Sequence, residues 1–273
     1  MSDFLEEMAR SSAARVALAL RSEALGALER RARQMPPAPP LRLSPAGFDV
    51  IAELKLRSPA AGVLKDSTHD WLTRVAAYAR AGAAAVSVLT EPSRFDGALE
   101  HLRQAASLLA PLGVPAIRKD FIVDPYQVIE ARATGAGGVL VIVRMLRREH
   151  LVELLTAAAD HGLFVLLEAF DAVDLQLAGD LLGHARNGSV LVGINCRDLA
   201  TLEVVQERFE ELAPLLPEGS IAVAESGVAT PADARRIREL GYRLALIGTA
   251  LMTRDDPGVL LAEMFAAART VSS

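Results

Sequence analysis

The feature that most constrains this chain is a series of short apolar runs, each followed by a polar or glycine-rich turn and an amphipathic stretch. Eight runs occur, at 48–53, 85–89, 114–118, 138–143, 164–168, 190–195, 221–225 and 244–247. Their ends lie 22 to 36 residues apart, which is room for one strand, one helix and two loops. Continuously apolar strands that alternate with helices are typical of parallel sheets covered by helices.

The stretches between the runs have apolar residues at helical spacing, and several end on glycine or proline. The predicted helices are 71–82, 97–111, 125–135, 147–162, 201–212 and 230–241. Thr230 and Pro231 form a helix start, with threonine at the cap and proline in the first turn. Eight strand–helix units predict an α/β fold with a single (β/α)8 TIM barrel. A doubly wound sheet is the main alternative, but no GxGxxG motif follows the first run.

An amphipathic helical region at 3–33 and the proline-rich linker at 35–40 precede the first run. We therefore predict an N-terminal helical extension over 1–40 and a catalytic barrel over 41–273. Two interpretations of the extension stay open at this point. It either closes the bottom of the barrel and mediates contacts, or it forms a flap near the substrate.

The overall composition is that of an ordinary globular protein, with 51% apolar residues and a net charge of −5. These values argue against a disordered chain and against nucleic acid as a partner. The single cysteine, Cys196, excludes a disulfide framework and a cysteine-rich zinc site. The acidic start lacks the pattern of a signal peptide, and no segment is long and apolar enough to span a bilayer, so we expect a cytoplasmic protein without membrane partners.

Lysine is rare in this chain: only three of the 29 basic residues are lysines, namely Lys55, Lys65 and Lys119. Lysine can release its proton when its surroundings change, whereas arginine stays protonated. Lysines that persist in an arginine-rich chain are therefore candidates for proton transfer.

Polar side chains end five of the apolar runs, and the active site of a barrel lies at the carboxyl ends of its strands. Burying such groups is costly unless they are paired. A single polar residue would be consistent with a solvated strand end, but polar residues at the ends of five strands indicate an active site. Arg118 and Asp120 are interpreted as flanking groups that pair outward. The candidates are Glu53, Lys55, Lys119, Glu168, Asn195 and Glu225.

Glycines supply a second set of candidates. Ser226 and Gly227 follow the seventh run, and Gly248 and Thr249 follow the eighth. Loops after the last two strands form the recurrent phosphate site of such barrels, because their backbone N–H groups are exposed. Ser58, in the first loop, is a further hydroxyl candidate. Ordinary turn chemistry is the alternative interpretation.

The histidines argue against two other kinds of site. All five (His69, His101, His150, His161 and His184) lie in predicted helices or loops, away from strand ends. We therefore expect neither a histidine-ligated metal nor a Ser-His-Asp triad. Cys196 points outward by strand parity and is expected to be a packing residue.

Six segments together match a known family pattern: IAELKLRSP at 51–59, SVLTEPSRFDG at 87–97, IRKDFIVDPYQVIEARATGA at 117–136, GINCRDL at 193–199, AESGV at 224–228 and LIGTALM at 246–252. With them the chain resembles the indole-3-glycerol-phosphate synthase family of tryptophan biosynthesis. The similarity spans the barrel and includes a helical extension like that of the family, and RKDFIVDPYQ is its most specific part.

The resemblance implies a carboxy-lyase that needs neither cofactor nor metal and acts on a phosphorylated small molecule. It implies Lys119 as the proton donor in ring closure, and Lys55 as the group that holds the substrate carboxylate and protonates the departing hydroxyl. Which glutamate is the base stays open, as does contact with other enzymes of the tryptophan pathway. The implied residues are Lys119, Lys55, Glu168 and Glu53 for catalysis, Asn195, Glu225 and Ser226 for substrate binding, and Ser58, Gly227, Gly248 and Thr249 for phosphate binding.

Some positions depart from the family pattern: Ala60, Ala61, Ala98, Arg144 and Cys196. They leave room for a paralogue that acts on a substituted anthranilate adduct. A sugar-phosphate isomerase on the same phosphate-binding barrel is a second alternative, disfavoured because the first strand offers Glu-x-Lys. A barrel that binds a ligand without catalysis is a third, and the two lysines at strand ends argue against it.

Overall fold

The computed structural model describes residues 3–58, 62–63, 71–183, 190–199 and 201–269. Eight parallel strands close into a barrel in chain order, and the first strand pairs with the last. The predicted (β/α)8 barrel is confirmed, with every strand end within two residues of its predicted position. The strands are β1 (Asp49–Leu54), β2 (Ala85–Leu89), β3 (Ala116–Lys119), β4 (Gly138–Ile142), β5 (Phe164–Ala169), β6 (Val190–Asn195), β7 (Ile221–Glu225) and β8 (Leu244–Ile247).

Helices cover the outside of the barrel and precede it. They are α1 (Asp3–Ser22), α2 (Leu25–Gln34), α3 (Trp71–Arg80), α4 (Pro92–Phe95), α5 (Leu99–Leu109), α6 (Pro125–Ala133), α7 (Arg148–Asp160), α8 (Ala172–Leu182), α9 (Arg208–Leu212), α10 (Pro231–Glu239), α11 (Thr249–Met252) and α12 (Pro257–Arg269). Short 3₁₀ turns occur at Ala110–Leu112, Val143–Met145 and Ala213–Leu215, and a two-stranded antiparallel ribbon joins Arg57–Ser58 to Gly62–Val63. None of the described helices has the length and hydropathy needed to cross a membrane.

The strands are mostly apolar because both of their faces are buried. In β1, Val50 and Ala52 pack into the layer between strands and helices. Ile51, between them, packs into the barrel interior with Leu166 and Val223. This alternation explains why the strands read as continuous apolar runs.

Local capping fixes where several helices begin. Thr230 Oγ1 accepts a hydrogen bond from Asp233 N at 3.2 Å, and Asp233 Oδ2 accepts one from Thr230 N at 2.9 Å. This reciprocal pair confirms the helix start predicted at Thr230 and Pro231. Asp124 caps α6 in a similar way, by accepting from Tyr126 N.

The N-terminal helix α1 lies at the carboxyl end of the barrel. Leu5 and Met8 are buried among the side chains of the barrel interior. Arg15 donates two hydrogen bonds to Asp120, the residue after β3, at 2.9 and 2.7 Å. Of the two interpretations of the extension, the one that places it near the substrate agrees with this position.

The predicted helix 201–212 is wrong over most of its length, because only Arg208–Leu212 is helical. Leu202 has a φ of +64°, which a helix does not permit. Its carbonyl accepts from Arg197 Nη1 at 2.6 Å, and Arg197 pairs with Val204 in an isolated antiparallel bridge. The segment before Arg208 is therefore a folded loop, although its apolar residues have helical spacing.

Candidate active site

A cavity of about 320 Å³ opens at the carboxyl ends of the strands. The structure brings ten of the eleven predicted site residues together around it, whereas the Ser58 side chain lies outside the described part of the chain. The ten are Glu53, Lys55, Lys119, Glu168, Asn195, Glu225, Ser226, Gly227, Gly248 and Thr249.

Lys119, the last residue of β3, stands among three carboxylates. Its Nζ lies 3.2 Å from Glu168 Oε2, 3.4 Å from Glu225 Oε2 and 4.0 Å from Glu53 Oε2. Burial alone would lower the pKa of this ammonium, but the three carboxylates outweigh burial and raise the pKa above its ordinary value. Lys119 is therefore fully protonated at neutral pH in the free protein.

Glu53 lies between the two lysines. Its Oε1 is 2.8 Å from Lys55 Nζ, and its Oε2 faces Lys119. Burial would raise the pKa of Glu53, but the two ammonium groups lower it below its usual value. Both amines therefore reach one mouth of the barrel, linked by a carboxylate that stays ionised.

Asn195, at the end of β6, fixes the orientation of Glu168. Its Nδ2 donates to Glu168 Oε1 at 3.0 Å, and its Oδ1 accepts from Arg197 N at 2.9 Å. The other oxygen of Glu168 faces Lys119. Glu168 is thus held on both sides.

Glu225, at the end of β7, is buried beside Glu168 and Lys119. Burial raises its pKa well above the usual value, the neighbouring charge of Glu168 raises it further, and Lys119 offsets only part of the rise. The pKa of Glu225 is therefore raised, whereas that of Glu53 is lowered.

The glycine-containing turns after β7 and β8 form one wall of the cavity. Ser226 and Gly227 both have positive φ, at +65° and +79°. A Cβ on Gly227 would also lie 2.9 Å from Val204 Cγ1. Gln206 Nε2 donates to the Gly227 carbonyl at 2.5 Å and fixes the turn from outside. Successive N–H groups in such turns form concave anion sites.

The opposite wall is apolar and aromatic. Phe4 of α1 meets Phe121 edge to face, with 5.7 Å between ring centroids, and Phe95 lies 6.2 Å from Phe121. Leu140 and Ile142 complete this wall. The cavity can therefore hold an aromatic ring at one end and an anion at the other, with the lysines between.

Sequence reasoning missed Arg197 and the aromatic wall. Arg197 lines the cavity and its charge acts on Glu53. Its position two residues after Asn195 was an available signal, because strand parity places both on one face. No comparable signal existed for Phe4, which reaches the cavity only through the packing of α1.

The flanking pair Arg118 and Asp120 is buried, not exposed. Arg118 Nη1 donates to the Gln127 carbonyl and to Glu130, both at 2.8 Å. Asp120 accepts from Arg15, Arg118 and Thr90, and these partners outweigh burial and lower its pKa to about 2. Both residues are enclosed by their partners, and Asp120 also lines the cavity.

Cys196 and the described histidines lie outside the cavity walls. Cys196 is buried, and burial raises its pKa to about 12, as suits a packing residue. His101 and His150 lie in α5 and α7 and His161 ends α7, whereas His69 and His184 lie outside the described residues. Within the described ranges no group of three metal-binding side chains is placed to hold an ion.

Three of the departures from the family pattern lie away from the cavity walls. Arg144 donates to Asp171 and Asp174 and lies over the Phe170 ring, 4.7 Å from its centroid. Ala98 begins α5 without a side-chain cap, and Cys196 packs outside the barrel strands. Ala60 and Ala61 fall outside the described residues.

The sequence comparisons with known proteins agree on one family. The family model "Indole-3-glycerol phosphate synthase" matches residues 5–264. Indole-3-glycerol phosphate synthase of Parafrankia sp. is 40% identical over 265 residues, which cover 96% of this chain and 95% of the relative. The protein of that name from Bordetella pertussis is 41% identical over 272 residues, 97% of this chain and 100% of the relative.

Among solved structures, 3-hexulose-6-phosphate synthase from Salmonella typhimurium is similar in fold. The TM-score is 0.61 at 11% identity, and the match covers 81% of this chain and 98% of that chain. At this identity the likeness concerns the barrel alone.

Proposed function

The chain belongs to the indole-3-glycerol phosphate synthase family, and we propose that it performs the reaction for which the family is named. That reaction closes 1-(2-carboxyphenylamino)-1-deoxyribulose 5-phosphate to indole-3-glycerol phosphate and releases carbon dioxide and water. The observation that carries the proposal is the placement of Lys55 and Lys119 between an aromatic wall and two glycine-containing turns.

The shape of the cavity suits this substrate in one orientation. The carboxyphenyl ring packs against Phe4 and Phe121, and the phosphate lies on the turns at Ser226–Gly227 and Gly248–Thr249. The ribulose chain then passes the two lysines. Phosphate binding anchors one end, so that its binding energy positions the reacting carbons.

Ring closure needs a proton donor at the ketone oxygen. The ring carbon that bears the carboxylate attacks the ketone carbon, a carbon–carbon bond forms, and the carbonyl electrons move to oxygen. Lys119 delivers a proton to that oxygen, because its ammonium is charged in the free protein. The carboxylates around it hold the ammonium in place.

Two losses complete the indole. The carboxylate leaves as carbon dioxide, and its electron pair restores the aromatic ring. The new hydroxyl then leaves as water after protonation by Lys55, and a carboxylate of the cluster accepts the proton lost from the neighbouring carbon. Before it leaves, the substrate carboxylate pairs with Lys55, which is displaced from Glu53 or shared with it.

The hydroxyls of Ser226 and Thr249 are assigned to the phosphate. We expect Ser226→Ala and Thr249→Val to raise KM by about tenfold, the loss of roughly one charge-assisted hydrogen bond, with kcat little changed. A fall in kcat at unchanged KM would contradict this assignment.

One assay tests the proposal directly. Purified enzyme is supplied with the carboxyphenylamino-deoxyribulose phosphate, and indole fluorescence is followed together with carbon dioxide release. We expect both products in equal amounts. The absence of product at high enzyme concentration would overturn the function. The ring-unsubstituted substrate is chosen because Ala98, Arg144 and Cys196 lie away from the cavity walls.

We further propose that the enzyme is cytoplasmic, requires no cofactor or metal, and has the phosphorylated substrate as its ligand. Residues 1–40 form the helical extension and 41–273 the catalytic barrel.

A further inference from the structure

The ammonium groups at the mouth of the barrel are fewer than the carboxylates. Glu53, Glu168 and Glu225 face two ammonium groups, and Lys55 pairs with Glu53. Lys119 is left as the cation within ion-pair distance of both Glu168 and Glu225. Glu168 and Glu225 therefore share one ammonium, whereas the third cation of the cavity wall, Arg197, acts on Glu53.

Glu225 is the carboxyl least able to hold a negative charge. It is 1% exposed, and among the described residues its Oε1 has no hydrogen-bond partner. A Cβ on Gly193 would lie 2.0 Å from this oxygen, so the carboxyl packs directly against the backbone of β6. An ionised oxygen without a donor is costly in such a place, whereas a neutral acid is tolerated.

The groups that face Glu225 from the neighbouring elements give it little support as an anion. From β5, Glu168 presents a second carboxylate that shares Lys119 with Glu225 and raises the pKa of Glu225. Its register partner on β6, Asn195, donates its amide to Glu168 instead. On β8, the register partner is the apolar Leu246. The nearby cations are also engaged by other groups. Lys119, on β3, is shared with Glu168 and Glu53. Lys55 pairs with Glu53, and the Arg197 guanidinium donates to the Leu202 carbonyl.

We infer that Glu225 is a neutral carboxylic acid in the resting enzyme and holds its proton against Glu168. The raised pKa of Glu225 agrees with this state. As an acid, Glu225 can donate a hydrogen bond to a substrate hydroxyl, which a carboxylate cannot do. This role rests on the proposed function, whereas the protonation state itself does not.

The neutral state also has a consequence for substrate binding. With Glu225 protonated, the two ammonium groups balance Glu53 and Glu168, and the Arg197 guanidinium leaves the cavity wall favourable to an anionic substrate. Ionisation of Glu225 as the pH rises adds a negative charge beside the substrate carboxylate. We therefore expect kcat/KM to fall by up to about tenfold per pH unit above that ionisation.

Infrared spectroscopy tests the protonation state without turnover. At neutral pH the wild-type enzyme should show the carbonyl stretch of a protonated carboxylic acid, separate from the carboxylate bands. Glu225→Gln, which has the shape of the neutral acid, should lose it. Asp174→Asn is the matched control, because burial also raises the pKa of Asp174 and this residue lies outside the cavity walls. That variant should keep the band.

A wild-type spectrum without an acid band at neutral pH would overturn the inference, whether or not the variant folds. So would a band that survives Glu225→Gln, or one that is lost in Asp174→Asn. An enzyme that shows the expected band but yields no indole product would refute the proposed function alone. In an active enzyme, an alkaline fall in kcat/KM that persists unchanged in Glu225→Gln would refute the link between this proton and binding.

Discussion

Lys55 Nζ lies 2.8 Å from Glu53 Oε1, so a lysine proposed for catalysis is held by a carboxylate two residues before it. Gly248, which follows β8, lies against this pair. A Cβ there would be 2.3 Å from Glu53 Oε1 and 2.9 Å from Lys55 Nζ. The absence of a side chain at Gly248 is therefore a condition for the ion pair.

Gly248→Ala should lower kcat by about 100-fold, because the methyl group displaces Glu53 and Lys55 from their positions. The measurement is the steady-state rate by indole fluorescence. Gly183→Ala is the control, because Gly183 has an ordinary helical φ of −65° and no described residue lies within 4 Å of an added Cβ. Normal turnover in Gly248→Ala would show that the pair tolerates displacement.

Lys119→Arg should lower turnover by about 100-fold or more although the charge is kept. A planar guanidinium cannot occupy the site of a compact ammonium among three carboxylates, and it does not release its proton. Turnover is compared with that of Arg103→Lys, an exchange of the same two residue types at an exposed position. Near-normal turnover in Lys119→Arg would remove Lys119 from proton transfer.

Asp120→Asn should reduce the free energy of unfolding at neutral pH by about 3 kcal/mol, because it breaks a buried ion-pair network. The pKa of Asp120 is lowered to about 2 in the folded protein, so its contribution is full above the ordinary value of 3.8 and is lost as pH falls through about 2. Urea unfolding of both proteins across this range should show the difference shrinking with acid.

Glu100→Gln is the control for Asp120. Its pKa is also lowered to about 2, but Glu100 pairs with Arg103 in solvent, where such pairs contribute little. We expect no measurable change in its unfolding midpoint. An equal loss of stability in Asp120→Asn and Glu100→Gln would show that burial does not determine how much such an ion pair contributes.

Phe4→Ala should raise KM by about tenfold with a smaller effect on kcat, because an aromatic contact to the substrate ring is lost. Leu18→Ala, on the same helix, is the control, since Leu18 is 60% exposed. KM and kcat come from the fluorescence assay. An unchanged KM in Phe4→Ala would place the substrate ring elsewhere in the cavity.

The fold was predictable because its signals are local. Each strand is buried on both faces, and the reciprocal cap between Thr230 and Asp233 lies within four residues. Strand parity also placed Glu53 and Lys55 on one face, and both reach the cavity. These features depend on near neighbours in the chain, which a sequence displays directly.

The loop after β6 was not predictable in this way. Leu202 and Phe209 have helical spacing, but Leu202 takes a positive φ and its carbonyl binds Arg197. Val204 packs toward Gly227 of the next loop. The conformation is set by contacts with a distant turn. The contribution of Phe4 to the cavity has the same origin, because it depends on how α1 docks.

Lys119 and Arg118 are consecutive residues, and β3 presents one to the cavity and the other to the outer helix α6. Arg118 is buried there, and its Nη1 donates to Gln127 and Glu130. Grafting this chemistry onto another scaffold would thus require α6 as well as the strand ends. A transplant that carried Lys119 with Arg118 but lacked α6 would leave Nη1 of a buried guanidinium without acceptors, directly behind the reactive amine.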